Sequence, residues 1–316
     1  MSKPKRSVVH RRNFLKQVAV GATALVTNPC GSLEAEASTL PQGATAPIIP
    51  MATEVAIPPS IDVLTENRSG SDFMVDVLKS MGFEYLFANP GSSFRGLHES
   101  IVNYGANKAP EFITCCHEES SVAMAHGYSK IAGKPALVLA HGTVGLQHAT
   151  MAIYNAYCDR APVYVIIGNT IDATMRRPGV EWDHSVQDAA AIVRDFVKWD
   201  DLPISLPHFS ESAVRAYKIA MTPPMMPVVL VADSELQERP IPDDEVLRIP
   251  KLTLASPPQG DSGAVSETAK MLVAAENPVL MADRAARTAA GMKYLVELAE
   301  TLQAPVIDRA GRMNFP

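Results

Sequence analysis

A chain of 316 residues has room for about two domains, each burying a core of its own. Its 28 basic and 34 acidic residues give a formal net charge of -6, which excludes a broad electrostatic grip on nucleic acid. Six basic side chains (Lys3, Lys5, Arg6, Arg11, Arg12 and Lys16) crowd the first sixteen positions, so the remainder is more acidic still.

That first stretch predicts an address. Arg11 and Arg12 precede Phe14, Leu15 and Lys16, a modestly apolar run follows from Val18 to Val26, and Ala35-Glu36-Ala37 fits a small-x-small cleavage site. The run is shorter than the ~20 residues of a membrane span. The pattern over residues 1–37 resembles a twin-arginine export signal, so a periplasmic or otherwise exported destination, reached in the folded state, is expected. Cys30 would leave with the leader. Cys115, Cys116 and Cys158 remain, an odd number without a disulfide framework, and are expected as buried thiols.

Residues 38–68 are rich in Pro, Ala, Thr and Ser and predict a linker. From Ser69 the pattern changes. SDFMVDVLKSMG has helical spacing, YLFA is a short apolar strand, and Asn89-Pro90-Gly91-Ser92-Ser93 makes a turn into the helix of FRGLHESIVNYG. EFITCC then reads as strand, EESSVAMAHGYSKIAG as helix, PALVLAHG as strand, TVGLQHATMAIYNAYCD as helix and VYVIIGN as strand. Helices around Ser185 to Phe196 and Ser210 to Met221 follow, then the strand MPVVLVAD.

Apolar strands separated by helices predict an α/β domain, a doubly wound parallel sheet covered on both faces, over residues 69–235. Residues 236–262 are Pro-rich and charged and are expected as a second linker. A partial second α/β domain over 263–316 follows, with only two strands and two helices, so a domain left incomplete is expected.

Ligands of an open parallel sheet bind beyond the carboxyl ends of its strands. Asn89 to Ser93, His117 to Glu119 and His141-Gly142-Thr143 fall at such ends. Two carboxylates, Glu118 and Glu119, stand where a strand becomes a helix, and acids in a first turn ordinarily complement the helix dipole.

The series FANPGSS followed by HEESSVAMAHGYSKIAGKPALVLAHGTVGLQHATMAIYNAYCDRAPVYVIIGN resembles the pyrimidine-binding domain of thiamine diphosphate-dependent enzymes of the acetolactate synthase and benzoylformate decarboxylase type. The resemblance implies that Glu118 hydrogen-bonds N1' of the cofactor's aminopyrimidine, favouring the 4'-imino tautomer that removes the C2 proton, while the cofactor stabilises a carbanion. Such a role demands burial, which raises a carboxyl pKa, against the helix dipole, which lowers it. Ser121, Ala123, Ala125 and Gly127 are expected to let that helix pack closely, with Met124, Tyr128 and Ile131 at helical spacing, and Glu119 is the ordinary first-turn acid.

Asn89, Pro90 and Gly91 match the family's cofactor-lining loop, and Ser92 matches the serine that touches a substrate carboxylate in the benzoylformate decarboxylase branch; a plain Asn-Pro-Gly turn is the alternative. His141 aligns with that branch's proton-shuttling histidine and so favours decarboxylation, with a satisfied core histidine as its rival. His148 departs from the family, standing where asparagine is usual.

The resemblance further implies Mg2+ on a diphosphate-binding domain for which this sequence has no convincing copy; Gly260-Asp261-Ser262 lies in a linker and does not supply its motif. Completion by a separate subunit, or by further sequence, and a homo-oligomer (dimer or tetramer) are expected, with a small 2-oxo acid as substrate. FAD binding, known in some relatives, stays open. A non-catalytic module of the same fold is the second reading. A metal-binding protein is the third: Cys115, Cys116, His117, His126, His141 and His148 are dense, but they form no C-x-x-C pair and alternate on a strand, so no metal ligands are expected.

Overall fold

The computed structural model describes residues 68–256 and 258–308; the leader, Cys30 and the linker through residue 67 lie outside the described residues. Helix α1 (Gly70–Ser80) opens on a reciprocal cap. The Ser69 hydroxyl accepts the Asp72 amide, and the Asp72 carboxylate accepts the Ser69 amide. Strand β1 (Tyr85–Ala88) leads through a 3-10 turn (Ser92–Phe94) into α2 (Arg95–Val102). Then come β2 (Glu111–Thr114), α3 (Glu118–Ala132), β3 (Leu137–Ala140), α4 (Gly142–Cys158) and β4 (Tyr164–Asn169). Helix α3 stops at Gly133, whose φ of 67° is the left-handed cap that glycine takes without strain.

The stretch beyond β4 departs from the expected pattern. In place of one helix from Ser185 to Phe196 stand a short α5 (Val180–His184) and two 3-10 turns, Ala189–Ile192 and Arg194–Phe196. Ala189, Ala190 and Val193 are buried against the sheet, and Arg194 grips Asp188 and Asp200, which fixes the chain in tight turns. Strand β5 (Trp199–Asp201) was not legible, since two of its three residues are aspartates with poor strand propensity. Helix α6 (Leu206–Met221) and β6 (Val228–Asp233) follow, then α7 (Ser234–Glu238).

The six strands form one parallel sheet in the order β2-β1-β3-β4-β6-β5. Alternate strand residues feed two cores. Leu86, Leu137, Leu139, Ile166 and Leu230 meet α1, α2 and α6 on one face; Phe87, Val138, Val165, Ile167 and Val229 meet α3 and α4 on the other. This is a doubly wound α/β sheet. The helices after neighbouring strands β1 and β3 lie on opposite faces, which opens a crevice between those two strand ends.

The segment after residue 235 stays on this core. Leu236, Gln237 and Ile241 are buried, the Ile241 amide donates to the Arg68 carbonyl (2.7 Å), and Ser69 bridges Pro240. Beyond it, α8 (Ser262–Ala274), β7 (Leu280–Ala282), α9 (Ala289–Leu302) and β8 (Val306–Asp308) form a small unit with a two-stranded parallel sheet. Asp261 caps α8 by accepting the Ala264 amide. Arg284 and Arg287 donate to the carbonyls of Cys158, Asp159 and Arg160 at the end of α4, where the helix dipole favours positive charge.

Candidate functional site

The loops after β1, β2, β3 and β4 meet at the carboxyl edge of the sheet. Glu118 is the first residue of α3, yet only 3% exposed. Its Oε1 accepts from Asn89 Nδ2 at 3.2 Å, and its Oε2 has, among the described residues, only His148 Nδ1, at 3.4 Å. Gly145 of α4 faces the same carboxylate so closely that an added Cβ would stand 3.0 Å from Oε1. Glu119 is exposed, as a first-turn acid should be. His117 caps the helix, its Nδ1 accepting the Glu119 amide at 3.1 Å.

The packing of α3 differs from the sequence reading in part. Ser121, Val122, Ala125 and Ser129 face the sheet, while Ala123, Met124, Gly127 and Ile131 are exposed, and a Cβ on Gly127 would meet nothing. The 3.6-residue period puts these two sets on opposite faces, so the small residues divide between them. The cysteines divide as well: Cys115, whose amide still donates to the Ala88 carbonyl beside β1, is buried, Cys158 is half-buried and Cys116 is exposed.

Of the loop after β1, Asn89 reaches Glu118, Pro90 is exposed, and Gly91 lies flat against the His141 ring. Ser93, which sequence reasoning passed over for the half-buried Ser92, is buried and bonded to His141. Its Oγ stands 2.8 Å from His141 Nδ1 and accepts the Gly142 amide at 3.0 Å. The Ser93 carbonyl accepts from Ser234 and Gln237. Gly168 is required beneath it, since a Cβ there would fall 2.2 Å from that carbonyl oxygen.

His141 is half-buried, and both its ring nitrogens are engaged: Nε2 lies 2.8 Å from His184 Nδ1. The Ser93 amide can only donate, and it reaches Nδ1 at 3.3 Å. The network therefore assigns the proton of neutral His141 to Nε2, with His184 Nδ1 accepting it. Burial first, and the neighbouring His184 second, lower the His141 pKa, while Glu118 pulls the other way. Ser93, His141 and His184 thus form a hydrogen-bonded chain able to pass a proton along the strand ends. Nothing in the sequence pointed to His184; it stands in a stretch without apolar period.

Two further polar atoms at this edge, Thr143 Oγ1 and Asn169 Oδ1, are buried without a partner among the described residues. Such groups cost roughly 1–3 kcal/mol each and mark a place where a ligand or water is wanted. The dense His/Cys set does not act as one group. His126 joins Asp159 (3.0 Å) beside Lys130, and His141 joins His184. His117, Glu118 and His148 do come together, with one donor atom from each within 4.8 Å of the others. This departs from the expectation of no ligand set, because the third donor comes from α4 and not from the strand.

Fold and site define a doubly wound domain with a buried carboxylate at the crevice beside β1 and β3. The comparisons give that class a family: the description "Thiamine pyrophosphate enzyme, N-terminal TPP binding domain" matches residues 68–191. Over that region the chain is similar to the N-terminal cofactor-binding domain of thiamine diphosphate-dependent enzymes. It is 27% identical over 244 residues to the acetolactate synthase large subunit of Haemophilus influenzae, covering 75% of this chain and 41% of that one. It is 28% identical over 247 residues to benzoylformate decarboxylase of Pseudomonas aeruginosa, covering 76% and 44%. The benzoylformate decarboxylase structure from Polynucleobacter necessarius matches with a TM-score of 0.63 at 26% identity, over 76% of this chain and 43% of that one. The chain therefore spans less than half the length of these relatives.

Proposed function

We propose that residues 69–235 bind the aminopyrimidine end of thiamine diphosphate in a 2-oxo acid decarboxylase or carboligase. Glu118 would hold N1' through Oε2, with Asn89 fixing the other carboxylate oxygen. The observation that carries this is the burial of Glu118 with an oxygen, Oε2, whose one hydrogen-bond partner among the described residues is the distant His148 Nδ1. A buried carboxyl group left so poorly partnered is costly unless a ligand or a proton serves it. When bound, thiamine diphosphate supplies the carbanion stabilisation that decarboxylation requires. The Ser93-His141-His184 chain would hold and move the proton, and Ser92 is assigned to the substrate carboxylate. The histidine chain favours decarboxylation over ligation.

The diphosphate and its Mg2+ are assigned to a second domain, from another subunit or from further sequence, in a homo-oligomer or a complex with that subunit. The exposed small residues Ala123 and Gly127 on α3 suit close approach of such a neighbour. Export by the twin-arginine route is part of the same reading. The test is Glu118→Gln in the chain reconstituted with a diphosphate-binding partner. Exchange of the cofactor's C2 hydrogen should slow by orders of magnitude while the fold is kept; unchanged exchange removes Glu118 from the role.

A further inference from the structure

We propose that His117, Glu118 and His148 form a binding site for a divalent transition-metal ion of the zinc class, at the carboxylate assigned above to the aminopyrimidine. Two imidazoles and one carboxylate suit such an ion, with the fourth tetrahedral position left open. Hard cations such as Mg2+ are disfavoured, since the site offers one carboxylate where they require several oxygens.

The geometry is close to what an ion needs. Bond lengths of about 2.0–2.2 Å place neighbouring donors around a tetrahedral zinc roughly 3.3 Å apart. Glu118 Oε2 and His148 Nδ1 already stand at 3.4 Å, and all three donors lie within 4.8 Å. The remaining contraction falls to side chains that can make it. The His148 side chain is 58% exposed and can turn about its χ angles, and its ring lies 4.9 Å from that of His117. Glu118, buried and held by Asn89, is the fixed point. A cation there would also serve Oε2, whose contact with His148 Nδ1 is a long one.

The ion site stands on the donors themselves; only its consequence rests on the proposed function. One carboxylate oxygen cannot serve both a metal ion and N1' of the aminopyrimidine, so the ion would exclude the cofactor.

The test uses the full chain, stripped with chelator and titrated with zinc by calorimetry and with cobalt by visible absorption. One equivalent of each is expected, cobalt showing tetrahedral bands. His148→Ala, on an exposed side chain, and His117→Asn, which keeps a capping oxygen, should each weaken zinc by about tenfold or more. Absence of stoichiometric zinc, survival of binding in both variants, or a thiolate-to-cobalt band showing the exposed Cys116 as ligand would each overturn the site. With the diphosphate-binding partner present, added thiamine diphosphate should weaken zinc binding; a ternary complex with undiminished zinc affinity overturns the shared carboxylate. Zinc binding by a chain that takes no thiamine diphosphate even when reconstituted with a diphosphate-binding partner would support the ion site and count against the proposed function, so the two are separable.

Discussion

Gly91 and His141 are packed so tightly that a Cβ on the glycine would stand 2.5 Å from His141 Cβ and 2.6 Å from Cγ. The backbone of Gly91 is extended (φ -145°), so the glycine is demanded by its neighbour and not by its own conformation. Gly91→Ala should displace the imidazole from Ser93 and His184, at a cost of roughly 1–3 kcal/mol for overpacking. Urea denaturation measures the cost, and the shifted ring signals of His141 in an NMR spectrum report the displacement. A variant with wild-type stability and unmoved signals would show that the loop yields instead.

The histidines set a pH dependence. Burial lowers His141, with His184 adding to it, and burial also lowers His126 and His98. A histidine lowered in the fold binds fewer protons than it does in the unfolded chain. Its contribution is therefore complete above the ordinary value of 6.5 and is lost as pH falls through 6.5 towards the folded value. The urea midpoint should be higher at about pH 7.5 than at about pH 5, and His141→Gln should remove part of that slope. An unaltered slope in the variant would mean that His141 does not titrate as the geometry requires.

Glu181 ties α5, and with it His184, to the rest of the domain. It accepts from Arg95 of α2 at 3.0 Å and from the backbone of Arg177 at 2.7 Å. Burial would raise its pKa, but the bonds from Arg177 and Arg95 outweigh this and hold it at about 2. A carboxylate so depressed stabilises the fold above its ordinary 4.5, and that contribution disappears as pH falls towards 2. Glu181→Gln should cost about 1–2 kcal/mol at neutral pH and lose this acid limb. Hydrogen exchange should rise at residues 180–184, and unchanged protection there would mean that α5 is held by other contacts.

The exposed and buried sides of α3 show how far the pattern of residues could be read. Its bounds are local facts: His117 and Glu118 to start it, Gly133 to stop it. Which of its small residues would be covered was not legible, since that depends on how the helix is rotated over the sheet. Ser93 and Ser92 make the same point in two adjacent residues of one type. Both stand in the turn after β1, and only the placement of β3 beside β1 decides that Ser93 meets His141.

The sequence by itself determined the alternation of strands and helices as far as β4 and the two-faced burial of the sheet. Short-range forces do that work: runs of apolar residues, caps and turns act over a few positions of the chain. Only the tertiary structure decided that Glu118 loses its water, that His184 joins His141 across 43 positions, and that His148 closes on His117 and Glu118. Those distances follow from the order of the strands and the packing of one helix on another, which no local pattern encodes.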